Sequence, residues 1–381
     1  MNESHLLRIL LCLFFIPASA RITILIESSQ PALRARRQSP SPAAVILPEA
    51  CKNVEKVDKK SLTFSRGFES VSVPWMRKDL SPMLMTNDAL KRNWEKLIDL
   101  KVRGMNATVK EVIAHLRDNG CLFMPWGGAI RDMVLDRPPH DVDAEVSCSQ
   151  QRVLSLCSDK FGKDNCEKSP RSDSTKLRIG NDHHQRSSGS GTTNQVEPMD
   201  VVQWKETFEV PPVEWEYTPN SLSYYAMPHN SRQALIDLTG EGFKDVCEKK
   251  IRIPAAKPDW PRWVGKGLNK RLRFWKLRIN GYDARDNETK TFIIESLKKD
   301  FTKSDMQKFY CIYVMFGVFN ESQSTCALTD AHAKEVVDSK RAFNAAFEKD
   351  LGASFWQKTM KPAIDSLALK SPSAKKTTTK D

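Results

Sequence analysis

Apolar residues recur at helical spacing in two segments that open the regular part of the chain. In the first, which begins near Asn87, they are Leu90, Trp94, Leu97, Ile98 and Leu100. The second begins at Thr108, where the spacing Thr108-x-x-Glu111 predicts a capping box, and Asn119-Gly120 predicts its end. We therefore expect two consecutive amphipathic helices.

The chain then changes to strand-like spacing. A short apolar run, Cys121–Trp126, leads into paired glycines at 127 and 128, and 129–135 predicts a short helix after this turn. A helix is also predicted over 150–161. Further segments with strand character are 144–146, 199–204, 224–227 and 233–238.

From Trp260 onward the pattern is helical. Helices are predicted over 268–279, 288–297, 304–318, 331–347 and 355–367. This order of elements predicts an α+β fold: a head with a mixed β-sheet flanked by helices, followed by an α-helical neck and body.

The N-terminus has the features of a targeting segment. Arg8 precedes an apolar run from Ile9 to Ile16, and residues 18–20 are small, as at a cleavage site. The run is too short to span a membrane, so we expect no stable membrane insertion. The leader predicts entry into the secretory pathway. The arginine-rich stretch 21–50 suits either a transit peptide, directing the chain to a plastid- or mitochondrion-like organelle, or a disordered spacer.

These patterns divide the chain into five predicted parts. They are a signal peptide (1–20), an extension that is a transit peptide or disordered (21–85), a head domain (86–255) with a flexible insertion (162–195), a helical neck and body (256–368) and a disordered basic tail (369–381).

Charge adds a class of partner to this picture. The 381 residues carry a net charge of +12, with a sequence pI of about 9.2. This balance favours a polyanion such as RNA, although a solvated basic surface would give the same balance. The segment 244–278 mixes cations with aromatic residues, which either stack on bases or fill a helical core; they are Trp260, Trp263, Phe274 and Trp275.

The chemistry of the cysteines depends on the compartment. Eight of the nine cysteines follow the predicted signal peptide, and none forms a Cys-x-x-Cys pair. We therefore expect no structural zinc site, and the even number allows disulfides without specifying a pairing. Asn106, Asn287 and Asn320 begin Asn-x-Ser/Thr sequences, which accept glycans only if the chain stays in the secretory pathway.

Two carboxylates one residue apart, Asp141 and Asp143, close the segment that begins with the paired glycines. On an extended segment both side chains project from one face, so both can reach the same cations. Asp200 opens a later strand-like segment, and pairing of the strands would add a third carboxylate. The set predicts a site for two Mg²⁺ ions, with Mn²⁺ as a substitute, in which Asp200 also helps to deprotonate an attacking hydroxyl. The alternative is a turn residue at Asp141 and a solvated strand end at Asp200.

The glycines and the following arginine each have two interpretations. Gly127 and Gly128 allow the backbone to approach a triphosphate at the start of a helix, or they simply close a tight strand-to-helix turn. Arg131 can pair with Asp132 or meet phosphate, and we expect a mixed role.

Residues 127–143 resemble the signature of the tRNA nucleotidyltransferase/poly(A) polymerase family, which includes the CCA-adding enzymes and has a polymerase-beta-type head domain. The family pattern is Gly-Gly-x-apolar-Arg-Asp, an apolar pair, Gly, four residues and Asp-x-Asp, and every spacing fits. Asp136 stands where the family has Gly, and Asp tolerates the left-handed backbone better than most residues.

The resemblance extends weakly to about residue 290 and implies further site residues. Thr218 and Asn220 would support the nucleotide site. A segment that resembles the family's neck helix would lie near the base and phosphates through Arg271, Arg273 and Lys276. The implied function is template-independent addition of nucleotides from ATP or CTP to an RNA 3′ end, either a tRNA CCA end or a poly(A)-type tail, with the neck and body binding the RNA.

Two other functions stay open on the sequence. Residues 214–216 (Glu-Trp-Glu) replace the family's Arg-Arg-Asp, and Gly267-Leu268 replaces its Glu-Asp, which favours a catalytically degenerate member that only binds RNA. The leader and Asp-x-Asp together suit a secretory glycosyltransferase, although this leaves the glycine pair and Asp200 unexplained. The sequence predicts neither the base added nor an oligomeric state.

Overall fold

A computed structural model of the chain describes residues 47–58, 83–168, 176–181, 194–203, 216–226, 233–265, 267–315, 317–328 and 333–370. These residues belong to one compact unit, Leu47–Asp381. The predicted signal peptide and the tail beyond residue 370 lie outside the described residues. Within them the fold is α+β, which confirms the predicted class.

The helices follow most of the predicted spacing. They are α1 (Asp88–Ile98), α2 (Val109–Asp118), α3 (Gly128–Val134), α4 (Gln150–Phe161), α5 (Gly242–Glu248), α6 (Trp260–Val264), α7 (Leu268–Ile279), α8 (Asn287–Asp300), α9 (Lys303–Tyr313), α10 (Ala333–Leu351), α11 (Ala353–Phe355) and α12 (Lys361–Asp365). The capping box is present: the Thr108 amide donates to Glu111 Oε2 (2.7 Å), and the Glu111 amide donates to Thr108 Oγ1 (3.2 Å).

The strands are short and form several sheets. They are β1 (Glu55–Lys56), β2 (Met83–Thr86), β3 (Lys101–Val102), β4 (Phe123–Pro125), β5 (Asp143–Val146), β6 (Cys166–Lys168), β7 (Lys176–Ile179), β8 (Gln195–Val196), β9 (Met199–Gln203), β10 (Leu222–Ala226), β11 (Gln233–Asp237), β12 (Lys250–Ile251), β13 (Asp283–Ala284), β14 (Val318–Asn320), β15 (Thr325–Ala327) and β16 (Ala368–Lys370). One sheet has the order β4-β5-β9-β7-β6, with β5 and β9 parallel and the other pairs antiparallel. The predicted mixed sheet is therefore confirmed.

The five-stranded sheet has two unlike faces. Because side chains alternate along a strand, residues at every second position share a face. One face is apolar and buried, with Ala144, Val146, Leu177, Ile179 and Val201. The opposite face carries Asp143 and Asp200 in direct register, with Arg178 opposite Asp200 on the other side. The sheet thus places charged groups on the side away from its apolar packing.

Two stretches expected to lack regular structure are partly folded. Within the predicted extension, β1 and β2 join β11 and β10 in an antiparallel sheet, and a disulfide ties Cys51 to Cys247. Within the predicted insertion, β6 and β7 complete the five-stranded sheet, and Cys166 pairs with Cys157. Those expectations are wrong for these residues, because sheet pairing and cross-links hold segments that have little local periodicity. The remainder, 21–46, 59–82, 169–175 and 182–193, lies outside the described residues.

The last helices also differ from expectation. The predicted helix 304–318 ends at Tyr313, and the chain turns into the hairpin β14–β15, which the Cys311–Cys326 disulfide ties to α9. The predicted helix 355–367 is divided by a π-helical turn at Trp356–Met360. No helix among the described residues is long and apolar enough to cross a membrane.

The aromatic residues of α7 fill the core. Phe274 and Trp275 are fully buried, and the Trp275 ring stacks on Phe347 of α10 with centroids 4.7 Å apart. Trp263 is equally buried, and its Nε1 donates to the Glu216 carbonyl (3.2 Å). Of the two interpretations left open by the sequence, core packing applies to these rings, so they do not offer faces to RNA bases.

Candidate active site

The three predicted carboxylates come together at one edge of the five-stranded sheet. Asp143 of β5 and Asp200 of β9 are direct neighbours across the parallel pair, and Asp141 precedes β5 by two residues. Burial raises the pKa of Asp143 from 3.8 to about 6, and the charges of Asp141 and Asp200 add to the rise, while Lys176 and Arg273 oppose it. We call Asp141, Asp143 and Asp200 the acidic edge.

The acidic edge suits a hard divalent cation in its chemistry. Carboxylate oxygens are the ligands that Mg²⁺ prefers, and a cation would relieve the repulsion that raises the pKa of Asp143. Over the parts of the chain that the structure describes, no three His, Cys, Asp or Glu side chains stand close enough together to hold one ion. Metal binding would therefore require the acidic-edge side chains to turn toward one another.

The glycine turn positions α3 beside the acidic edge. Gly127 has φ +71° and ψ −127°, a backbone conformation open to glycine, and its amide donates to the Leu222 carbonyl (2.8 Å). Gly128 is the first residue of α3 and has ordinary space around it, since an added Cβ would lie 3.6 Å from Arg131 Nη2 and 4.0 Å from Nη1. The backbone conformation thus requires glycine at position 127 and not at position 128. The tight turn is present, and contact with a triphosphate stays a prediction.

Arg131 joins this turn to the neighbouring loop. Its buried guanidinium binds Asp132 through Nε and Nη2 (3.1 and 3.0 Å) and donates from Nη1 to Asn220 Oδ1 (2.8 Å). Burial alone would lower the pKa of Arg131, but the charge of Asp132 and its hydrogen bond raise it above its ordinary value. The predicted pair with Asp132 is confirmed, while phosphate contact stays a prediction.

Thr218 and Asn220 hold the loop from two sides. Thr218 is buried; its Oγ1 donates to Asp245 Oδ2 of α5 (2.6 Å) and accepts from the Arg252 amide (3.1 Å). Asn220 accepts from Arg131 and donates from Nδ2 to Glu216 Oε2 (3.2 Å). Both side chains are hydrogen-bonded to other protein groups, so they support the site by holding the backbone of this loop in place.

Two cations on α7 face the acidic edge. Arg273 binds Glu216 and donates from Nη2 to the Tyr313 hydroxyl (2.6 Å), and Lys276 Nζ lies 4.9 Å from the centre of the Tyr313 ring. Burial lowers the pKa of Lys276, and the negative charge of Asp141 acts in the opposite direction. We call Arg273 and Lys276 the basic face, which supplies positive charge beside the carboxylates.

Arg271 does not belong to this basic face. Its guanidinium is buried against α8, where Nη1 donates to Asp300 Oδ2 (2.9 Å) and to the Ser296 carbonyl. Residues two apart on a helix point to nearly opposite sides, whereas residues three apart are neighbours. Arg273 and Lys276 can therefore share a surface, but Arg271 cannot join them. The structure does not bring this predicted nucleotide contact to the site.

Three residues at the site were not predicted from the sequence. Glu216 binds both Asn220 and Arg273. The Tyr313 ring contacts both cations of the basic face. The positive charge of Lys176, on β7, opposes the rise in the pKa of Asp143. Glu216 was visible only as a difference from the family pattern. Tyr313 and Lys176 come from separate elements, and no local signal marks them.

Comparison with known proteins finds a similarity over part of the chain. Residues 124–252 match the model of the poly A polymerase head domain. The matched residues include the glycine turn, the acidic edge and the loop of Thr218 and Asn220, and α7 lies beyond them. A search of curated proteins finds no match.

Solved structures that resemble the chain include three with related descriptions. One is a CCA-adding enzyme with CTP (14% identity, TM-score 0.39, 52% of this chain and 45% of that chain), and another is a Thermotoga maritima CCA-adding enzyme complexed with tRNA (14%, 0.36, 52% and 45%). The third is a tRNA-processing enzyme with CTP (11%, 0.42, 63% and 57%). The chain thus spans about half the length of the structures that it matches.

Proposed function

We propose that the chain adds nucleotides from ATP or CTP to an RNA 3′ end without a template. The observation that carries the proposal is the acidic edge beside the basic face: Asp143 and Asp200 are paired across β5 and β9, Arg273 lies close enough to oppose the rise in the pKa of Asp143, and the charges of Asp141 and Asp143 act on Lys276. The similarity of residues 124–252 to the poly A polymerase head domain favours nucleotidyl transfer over the glycosyl transfer that Asp-x-Asp alone would allow.

Each group then has a role in the transfer. Asp141, Asp143 and Asp200 would hold two Mg²⁺ ions, with Mn²⁺ as a substitute; when bound, these ions polarise the α-phosphate and stabilise its charge. Asp200 accepts the proton of the RNA 3′ hydroxyl that attacks the α-phosphate. Arg273 and Lys276 bind the triphosphate and favour release of pyrophosphate.

The scaffold around these groups has a separate part. Gly127 allows the backbone to pass close to the triphosphate, while Arg131, Asn220 and Glu216 fix the loop and α7 relative to each other. The net charge of +12 supports binding of the RNA backbone by the helical neck and body. Because Arg271 is bound within the core, base choice would have to come from other groups.

A direct assay tests this function. The purified chain is incubated with tRNA, Mg²⁺ and labelled ATP or CTP, together with the Asp143→Asn variant and the Arg271→Lys control. We expect incorporation by the wild type and by the control, and none by Asp143→Asn, which should keep its circular dichroism spectrum. Equal incorporation by wild type and Asp143→Asn would contradict the assignment of the acidic edge.

A second function has its own support. Glu216 belongs to the segment that departs from the resembled family pattern, and it pairs with Arg273, a cation of the basic face, which favours a protein that binds RNA without catalysis. Such a protein would retain tRNA with an affinity that falls steeply with salt. It would incorporate no label with either Mg²⁺ or Mn²⁺, which separates it from the enzyme.

A further inference from the structure

The described part of the chain contains eight cysteines, and all of them form disulfides. The pairs are Cys51–Cys247, Cys121–Cys148, Cys157–Cys166 and Cys311–Cys326, with Cα atoms 5.3 to 5.9 Å apart, the ordinary range for disulfides. Disulfides of this kind persist in oxidising compartments and are rare in the cytosol. Full pairing therefore agrees with the secretory leader expected from residues 1–20.

The three Asn-x-Ser/Thr sequences of the mature chain all place their asparagine at the surface. Asn106 lies in the turn before α2, Asn287 in the first turn of α8, and Asn320 at the start of the β14–β15 turn, and all three side chains are exposed. N-linked glycans are bulky and polar, so they require an asparagine that is exposed at the surface. By contrast, other asparagines, such as Asn93 and Asn181, are buried.

The hairpin turn also arranges the acceptor group. Asn320 Oδ1 accepts from Ser322 Oγ (2.8 Å) and from the Gln323 amide (3.2 Å), which gives this exposed turn a side-chain cap. The hydroxyl of the third residue of the acceptor sequence thus already contacts the asparagine. Asn287, in turn, lines a shallow groove with Trp260 and Phe292, an apolar surface beside which a sugar can pack.

We propose that the mature protein is a disulfide-bonded N-glycoprotein, with glycans on the side-chain nitrogens of Asn106, Asn287 and Asn320. The attachment forms a bond between the asparagine nitrogen and the first sugar and releases a lipid-linked pyrophosphate from the oligosaccharide donor, with no change of oxidation state. The proposal is independent of nucleotide transfer.

Mass spectrometry tests the proposal. The full chain is produced with its own leader in a eukaryotic secretory host, recovered from the medium and treated with peptide N-glycosidase, which converts each glycosylated asparagine to aspartate. We expect a downward shift in apparent mass, conversion at these asparagines, and no free thiol before reduction. Asn194, an exposed asparagine outside any acceptor sequence, should stay unconverted.

Two variants at one exposed position distinguish a glycan from other changes. Ser322→Ala removes the acceptor sequence and should lose conversion at Asn320, whereas Ser322→Thr keeps it and should retain conversion. Conversion at any of the three asparagines supports the proposal, provided that conversion at Asn320 is lost in Ser322→Ala and retained in Ser322→Thr. A secreted chain with no conversion, or a chain retained inside the cell with free cysteine thiols, overturns it.

Discussion

Replacing Asp143 by asparagine should stabilise the fold at neutral and alkaline pH while it removes nucleotide transfer. Asp143 is half-buried beside two other carboxylates, and these surroundings raise its pKa from 3.8 to about 6. The folded state therefore disfavours the ionised form. An uncharged asparagine of the same shape avoids this cost, so the effect reports the electrostatic strain of the acidic edge.

The sign of the pH dependence follows from the raised pKa. Below about pH 3.8 the carboxyl is protonated in both folded and unfolded chains, so it contributes no penalty. As the pH rises to about 6, the unfolded chain loses the proton first, and above that range the full penalty applies. A rise of about 2 in pKa corresponds to about 3 kcal/mol, and screening at a half-buried site reduces the expected gain to about 1–2 kcal/mol.

Urea unfolding of the wild type and of Asp143→Asn between pH 4 and pH 8 measures this difference. The gain in the free energy of unfolding should be near zero at pH 4 and reach its full value above pH 7. Asp141→Asn should give a smaller gain in the same direction, because Asp141 is one of the charges that raise the pKa of Asp143. Asp118→Asn, at an exposed position on α2 where the carboxylate pairs with Arg117, serves as the surface control.

Magnesium provides a second measurement at pH 8. Mg²⁺ should stabilise the wild type, since a ligand that binds only the folded state raises stability, and it should leave Asp143→Asn unchanged. A stability change that is equal at pH 4 and pH 8, or a loss of stability at pH 8, would refute the electrostatic reasoning. Stabilisation of both proteins by Mg²⁺ would show that the ion binds elsewhere.

Four further predictions concern other parts of the structure. Arg271→Met should lower the free energy of unfolding by about 1–3 kcal/mol and leave ATP affinity unchanged in calorimetry. Weaker ATP binding would show instead that Arg271 takes part in nucleotide binding. Lys276→Met should weaken ATP binding about tenfold in the same calorimetry, as expected for one lost charge-assisted contact, and unchanged affinity would exclude Lys276. At Asp136, which has φ +52°, thermal unfolding should show Asp136→Gly within about 1 kcal/mol of the wild type and Asp136→Val about 1–2 kcal/mol less stable; equal values would remove the backbone argument. The double variant Cys311→Ser/Cys326→Ser should lose about 3 kcal/mol in urea unfolding, and dithiothreitol should then have less effect on it than on the wild type.

The parts of the site that depend on near neighbours in the chain could be predicted. The glycine turn, the two closely spaced carboxylates Asp141 and Asp143 at the start of β5, and the left-handed backbone at Asp136 each follow from a few adjacent residues. The capping box of α2 has the same origin. Helical spacing alone could also have predicted that Arg271 points away from Arg273 and Lys276, because side chains two residues apart on a helix point in nearly opposite directions. The resemblance to the neck helix placed all three together, and the structure corrects this for Arg271.

By itself, then, the sequence determined the α+β class, the resemblance to a family signature and the residue types of the proposed nucleotidyl-transfer site, since hydrophobic period, turn chemistry and motif spacing are local properties. Tertiary structure alone decided that Asp200 lies beside Asp143, that Glu216 holds Arg273, and which cysteines pair. The physical reason is that strand register and contacts between distant elements depend on how whole faces pack. Because this packing energy is distributed over many residues, it cannot be predicted from any short stretch of sequence.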